Sequence, residues 1–207
     1  SAEQAGAREI RLIYEPMAAA IGVGLNVMEP TGHMIIDIGG GTSEIAVIAL
    51  GGIVSNKSIR VAGDEFNADI EDYMRKAHNL SIGERTAELV KIQVGAAIKD
   101  IENPPNPFPV QGRHVVTGIP VEEIVTHEEI AEALDKTISK IEAAILGALE
   151  NTPPELSADI LKNGIYLTGG GSLLRGLDKR ISEKTKLKVH RVEDPLHAVA
   201  RGAAIAL

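Results

Sequence analysis

"MIIDIGGGTSEIAVI" occupies Met34–Ile48. Two apolar, β-branched runs flank three consecutive glycines and a threonine. β-Branched residues are stiff and suit a pleated, buried surface, whereas glycine is the most permissive backbone available. The stretch reads as two antiparallel strands, Met34–Ile38 and Glu44–Leu50, joined by a tight turn. "LGG" at Leu50–Gly52 turns the chain again into a third strand, Ile53–Val61, which completes a meander.

Before the meander, "EPMAAAIGVGLNV" predicts a small-residue helix over Glu15–Val27, with Pro16 in its first turn. "SAEQAGAREIRLIYEP" reads as the end of another helix and a short strand at Glu9–Ile13. With no initiator methionine, the chain is expected to be a piece of a longer protein. After the meander, helical periodicity begins near Asp64 and runs to about Ala77, and a second helix starts near Ile82. Ser81, with Glu84 three residues later, has the spacing of a capping box. "NPPNPFPVQG" (Asn103–Gly112) carries four prolines and is expected to be a rigid linker, neither helix nor central strand. It leads into a hairpin, "RHVVTGIPVEEIVT", turning near Gly118–Pro120.

A long amphipathic helix is predicted over Thr126–Glu150 and a short one ends at Gly164. Then strand "IYLTGGG", helix "SLLRGLDKRISEKT", strand "LKVHRV" and helix "DPLHAVARGAAIAL" alternate. Such alternation predicts an α/β fold, a sheet with helices on both faces. The mostly helical 65–127 interrupts it as an insert between core segments 1–64 and 128–207.

Composition narrows the function. Of 207 residues, 44% are apolar and 24% charged, as in a globular protein. Aromatics are 2%, so the core must be aliphatic. A net charge of −8 argues against a nucleic-acid groove, which gathers Lys and Arg. The lack of cysteine removes disulfides, thiolate metal sites and cysteine nucleophiles and fits a reducing cytosol. No apolar run approaches the ~20 residues of a membrane span. The histidines are scattered, with no i, i+4 pair to suggest a metal site.

The turn Asp37-Ile38-Gly39-Gly40-Gly41-Thr42 has two readings. It is an ordinary tight hairpin, or its bare amides form an anion-binding nest for phosphate. On the second reading Asp37 would repel phosphate unless a cation intervened, which makes Mg²⁺, held through water, the natural third party. It is not a P-loop, because no G-x-x-x-x-G-K-[ST] occurs. A second triplet, Gly169–Gly171, follows another strand. It is either a joint of small residues or a place where a ligand lies against a helix N-terminus. Two triplets at carboxyl ends of strands in one α/β sheet suggest a nucleotide, with phosphates at one and base or ribose at the other. Glu15 alone reads as a first-turn helix carboxylate, and Glu88 and Lys91, three apart, as a solvated ion pair.

These motifs resemble a known superfamily. "IIDIGGGTSEIAVI" is similar to the second phosphate loop of the actin, sugar kinase and heat-shock ATPases. "GIYLTGGGSLLRGLDKRI" looks like their adenosine motif. "YEPMAAAIGVGL" and "EDPLHAVARGAAIAL" resemble their two connecting helices. Within the superfamily, "EPMAAAIG", "VAGDEFNADI", "IGERTAELVKI" and "NTPPELSADI" resemble the MreB family of rod-shape-determining bacterial actins, over essentially the whole chain.

The resemblance implies a ribonuclease H-like, actin-type ATPase domain with a mixed sheet, the second of two domains that enclose ATP or ADP. The first phosphate loop, D-x-G-[ST], and the membrane-binding region of the family are absent from the sequence. It implies that Gly39, Gly40, Gly41 and Thr42 hold the β- and γ-phosphates and that Asp37 contacts Mg²⁺ through water. Glu15, helped by Thr42, would position the attacking water. Glu88, Lys91, Gly169, Gly170, Gly171 and Ser172 would line the ribose and adenine, and Gly63-Asp64-Glu65 would border the cleft. With half the cleft missing, this chain alone is expected to bind nucleotide weakly and hydrolyse little, which titration calorimetry with MgATP measures.

The implied function is a cytoskeletal ATPase that assembles head to tail and organises cell-wall synthesis with membrane partners. It would act in the cytoplasm, at the inner face of the cell membrane when polymerised. A heat-shock chaperone ATPase is the principal alternative, and would need a substrate-binding region downstream. A sugar kinase or a plasmid-segregation or organelle-aligning filament shares the motifs, but the insert matches the cell-shape type better.

Overall fold

The computed structural model describes residues 4–6 and 8–207. The meander is present: β1 (His33–Ile38), β2 (Ser43–Ala49) and β3 (Gly52–Ile59) pair antiparallel, within a residue or two of the expected ends. β7 (Ile165–Thr168) runs parallel to β1 and β8 (Val189–Arg191) parallel to β7, giving a mixed sheet in the order β3-β2-β1-β7-β8. β1 and β2 are apolar on both faces because both faces are covered. Met34, Ile36 and Ile38 join a large aliphatic core with Ile138, Ile141 and Ile145 of α4 (His127–Glu150). Ile35 faces the other way, with Ala19 and Ala20 of α1 (Glu15–Val23). Strand alternation puts Asp37 on this second face, toward α1.

α1 is shorter than expected. Gly24, at φ 89°, caps it, and its N–H reaches the carbonyls of Ala20 and Ile21. The alanines of α1 let α7 (Ala198–Ile205) cross it at the closest approach a backbone permits. A Cβ on Gly22 would lie 1.8 Å from the Ala198 carbonyl oxygen, and one on Gly202 would lie 1.7 Å from that of Ala18. No strand forms over Glu9–Ile13, because no neighbouring strand pairs with it, and Leu12 is almost wholly exposed. The helix end read in the first residues falls partly on residues 1–3 and 7, outside the described residues.

Between β3 and α4 lie α2 (Gly63–Ala77), α3 (Glu84–Val94) and a second sheet, β4-β5-β6. Two expectations are corrected here. Ser81 belongs to β4 (Leu80–Ser81), and Gly83 stands at the N-cap of α3. β5 (Phe108–His114) begins inside the proline-rich stretch and is the middle strand, beside β6 (Pro120–Val125). Proline is tolerated because β4 pairs only with Arg113 and His114. At Pro109 the strand has a neighbour on one side only, as on a sheet edge.

α4 starts at a capping box, with Thr126 N–H donating to the Glu129 carboxylate at 2.8 Å. α5 (Pro154–Asn163) ends at Gly164, as expected. The last helices are displaced: a short 3₁₀ turn covers Gly170–Leu173 and α6 begins only at Leu177 (Leu177–Thr185). Gly169 therefore leads into a 3₁₀ turn that Gly170 and Gly171 open, not into an α-helix N-terminus. Arg180 of α6, mostly covered, pairs with the buried Glu142 of α4 at 2.8 Å and donates to the Ala97 carbonyl, locking α6, α4 and the segment after α3 together. Among the described residues no helix is long and apolar enough to cross a membrane.

Candidate functional site

β1, β7 and β8 are parallel, so their carboxyl ends lie on one edge of the sheet. A cavity of about 840 Å³ opens there. Glu15 and Asp37 line it with Gly39 and Gly40 after β1, Glu88 and Lys91 of α3, and Gly169, Gly170 and Gly171 after β7. Residues far apart in the chain, from Glu15 to Gly171 and beyond, thus meet at the switch edge where α/β sheets bind ligands. Gly41 and Thr42 complete the turn without lining the cavity wall, and Thr42 contributes its carbonyl to the Gly39 N–H at 2.9 Å. Ser172 does not reach the cavity. It is buried, and its hydroxyl donates to the Gly169 carbonyl at 2.6 Å.

The two glycine triplets are glycine for different reasons. Gly39, Gly40 and Gly41 have ordinary, non-left-handed φ, so backbone strain is not their purpose. A Cβ on Gly40 would meet only the Asp64 carboxylate, at 3.4 Å, and one on Gly41 the same group at 3.7 Å. The fold leaves room at both. Among the described residues no acceptor takes the N–H of Gly40 or Gly41, while the carbonyls of Gly39 and Gly40 accept from Gly63 N–H (3.1 Å) and Asp64 N–H (2.8 Å) in the first turn of α2. The turn therefore spends its carbonyls on the insert and keeps amides for an anion. Gly169, at φ 82°, is demanded by the fold itself, since a Cβ there would fall 2.2 Å from Asp37 Oδ1.

The electrostatics are polarised. Asp37 is 6% exposed. Burial, then Glu15, then Glu44, raise its pKa from 3.8 to about 6. Glu15 and Asp37 thus oppose each other across one end of the cavity, an arrangement that a cation relieves. Lys91 donates to the Gly63 carbonyl at 3.1 Å. Burial lowers its pKa, against the pull of Glu88 and Asp64.

Part of the wall escaped sequence reasoning. Arg191, Pro195, Leu196 and Val199 border the cavity from the segment after β8. The signal was available: once β8 is parallel to β7, its carboxyl end must face the same edge. Leu173, Ile92 and Leu196 are large apolar side chains left about half exposed or more at the mouth, a surface suited to a flat ring. Arg175 also borders it but is committed to the carbonyls of Ile92 and Gly95. Gly40→Ala is expected to leave the melting temperature within roughly 2 °C, since the fold has space for the methyl, while weakening nucleotide binding on the order of 10-fold. Paired thermal melts and nucleotide titrations measure both, and unchanged affinity contradicts a role for the turn.

The whole chain, residues 1–207, matches the protein family described as MreB/Mbl protein. The chain belongs to the MreB/Mbl family. It is 48% identical over 212 residues to the cell shape-determining protein MreB of Escherichia coli K12, covering all of this chain and 59% of that protein. It is 44% identical over 207 residues to the cell shape-determining protein Mbl of Bacillus cereus, covering 62% of it. The chain therefore spans about three fifths of the length of these relatives. Among solved structures, MreB5 of Spiroplasma citri bound to ADP superimposes with a TM-score of 0.95 at 41% identity, covering 99% of this chain and 61% of that one. The same relative is also solved with AMPPNP. The MamK double helical filament matches at a TM-score of 0.75 and 26% identity, over 93% of this chain and 57% of its own. The fold is thus the actin-type domain that the motifs implied.

Proposed function

We propose that this MreB/Mbl chain supplies one wall of an ATP-binding cleft in a protein that polymerises and sets cell shape. The observation that carries the proposal is the cavity at the carboxyl ends of β1, β7 and β8, beside a turn that keeps two amides free for an anion. Nucleotide-bound MreB5 supports it.

On this reading the free amides of Gly40 and Gly41 and the hydroxyl of Thr42 hold the β- and γ-phosphates, while Gly39, whose N–H goes to the Thr42 carbonyl, shapes the turn. Asp37 holds Mg²⁺ through water, and the buried Asp37 beside the exposed Glu15 fits such an ion because a cation relieves the repulsion between them. Bound Mg²⁺ would supply charge neutralisation between phosphate oxygens. Glu15 sits at the cavity with its carboxylate available to orient water, and Glu88 and Lys91 border the ribose. Hydrolysis needs placement more than covalent help. Residues 65–127 form the smaller, inserted subdomain. The intact protein is an ATPase that assembles head to tail, in the cytoplasm against the inner membrane face, with membrane proteins of wall synthesis as partners. Its membrane contact lies in the first domain. MamK, which is solved as a double helical filament, supports self-association.

The test is electron microscopy of the full-length protein with and without MgATP, beside Thr42→Ala. Nucleotide-dependent filaments in the parent, reduced or altered in turnover by Thr42→Ala, are expected. A monomer that hydrolyses ATP without assembling overturns the cytoskeletal reading.

A further inference from the structure

The segment after β8 does more than border the cavity. Its Pro195 carbonyl accepts both the Thr168 hydroxyl and the Gly169 N–H, each at 3.2 Å, so it is fastened to the end of β7. One residue earlier, Asp194 adopts φ 52°, a left-handed conformation rare outside glycine. That geometry aims its carboxylate at two partners, His197 Nδ1 (2.7 Å) and Arg201 Nη1 (3.0 Å). Arg201 projects from α7 and uses its remaining donors elsewhere. Nε donates to the Gly22 carbonyl of α1 at 3.1 Å and Nη2 to the Glu193 carbonyl at 3.4 Å. One guanidinium therefore joins the cavity wall, α7 and the last turn of α1.

The other end of α1 carries Glu15, which lines the same cavity. α1 is a rigid rod of nine residues, and the Gly22–Gly202 crossing leaves it no freedom to separate from α7. Its remaining freedom is to rotate or slide along α7, and the Arg201 bond to Gly22 is placed to prevent that. A carbonyl in the last turn of a helix is one of the acceptors the helix leaves unpaired, so a fork-shaped donor can hold it without breaking a helical bond.

The geometry points to Arg201, braced by Asp194, as a positioning residue that fixes α1, and through it Glu15, to the wall formed by Pro195 and Leu196. Resting on the ATPase reading above, this latch makes the water-orienting end of the site depend on the base-side wall. A ligand that settles against Pro195 and Leu196 holds Asp194 in place, and Asp194 holds Arg201. Binding and hydrolysis are thereby separable, because neither Arg201 nor Asp194 borders the cavity.

The experiment uses full-length protein with Arg201→Ala, Arg201→Lys, Asp194→Asn and the Arg201→Ala/Asp194→Asn double variant. Affinity for MgATP is read by titration and turnover by phosphate release. Misplacement of a catalytic group by an ångström costs up to about 100-fold, so Arg201→Ala is expected to lower kcat roughly 10- to 100-fold with affinity changed less than about 3-fold. Arg201→Lys should fail to rescue, since an ammonium cannot reproduce the fork that spans Gly22 and Asp194. Asp194→Asn should shift kcat in the same direction by less, and the double variant should lose no more than Arg201→Ala alone. Amide exchange at Gly22–Leu25 should quicken in each variant. If Arg201→Ala fails to fold, Asp194→Asn decides, because asparagine keeps the side-chain shape and tolerates the left-handed backbone. Unchanged kcat, full rescue by lysine, additive losses, or parallel falls in affinity and kcat each overturn the latch. A parent protein that neither binds nor hydrolyses ATP overturns the function proposed above, and the latch with it.

Discussion

Replacing Gly202 with alanine is expected to lower the melting temperature by roughly 6–12 °C, the shift that about 3 kcal/mol produces in a chain of this size. The reason is the crossing of α1 and α7. The new methyl would sit 1.7 Å from the Ala18 carbonyl oxygen, 2.6 Å from its carbon and 2.8 Å from the Gly22 nitrogen. These are backbone atoms, which cannot swing aside as a side chain can. The two helices must part, and parting exposes Ala18, Ala19 and Ala20, all buried now. Gly22→Ala is predicted to act in the same way. The double variant should cost less than the sum, since one separation accommodates both methyls. Thermal melts of the three variants measure this, and a shift below about 2 °C for Gly202→Ala contradicts the close crossing.

The second large effect concerns Asp37 and has the opposite sign. Its pKa rises from 3.8 to about 6 on folding, first through burial, then through Glu15 and Glu44. Between those values the folded state holds a proton that the unfolded state has released. Stability therefore falls as pH rises through this window, and the full penalty applies above about pH 6. The difference corresponds to about 3 kcal/mol at neutral pH. Asp37→Asn removes the charge and retains the shape, so it is expected to stabilise the nucleotide-free protein at pH 7.5 by up to about that amount. Its advantage should disappear toward pH 4, where the parent carboxyl is protonated in both states. The same variant should bind MgATP less well, because the proposed cation loses its anchor. Denaturant unfolding of both proteins from pH 4 to 8 tests the argument. A stability difference that does not vary with pH contradicts it. A destabilised carboxylate at the end of a buried strand, beside a cavity, suits a site that trades stability for ligand binding.

The meander was legible because both of its signals are local. Stiff apolar runs fix the strands, and glycine pairs fix the turns. β1, β2 and β3 accordingly end within two residues of expectation. α4 was legible for the same reason, its apolar stripe lying in one stretch of sequence. What failed depended on distant partners. Pro109 is admitted to a middle strand only because β4 is too short to reach it. The Glu9–Ile13 stretch has strand composition but no strand to pair with. α6 starts five residues late because Gly169–Gly171 must first clear Asp37 and Ile38, which are contacts across the sheet.

The site shows the same division. Asp37 and the two triplets could be found as motifs, and Glu15, Glu88 and Lys91 only through family resemblance. Arg191, Pro195 and Leu196 carry no motif chemistry. They were findable only from the parallel pairing of β8, which no local pattern announces. Ser172 was misplaced because its sequence neighbours line the cavity, while its own hydroxyl is taken by the Gly169 carbonyl.

The two hydrogen bonds from Gly63 and Asp64 to the carbonyls of Gly39 and Gly40 also give the molecule a gearing. α2 begins at those bonds and runs 15 residues, to Ala77. At 1.5 Å per residue it is an arm of about 22 Å, so tilting its base by ~5° swings its far end by ~2 Å. At that far end His78 grips Glu129 at the start of α4. A sub-ångström adjustment of the glycine turn would thus arrive, enlarged, at the far end of α2 and the start of α4.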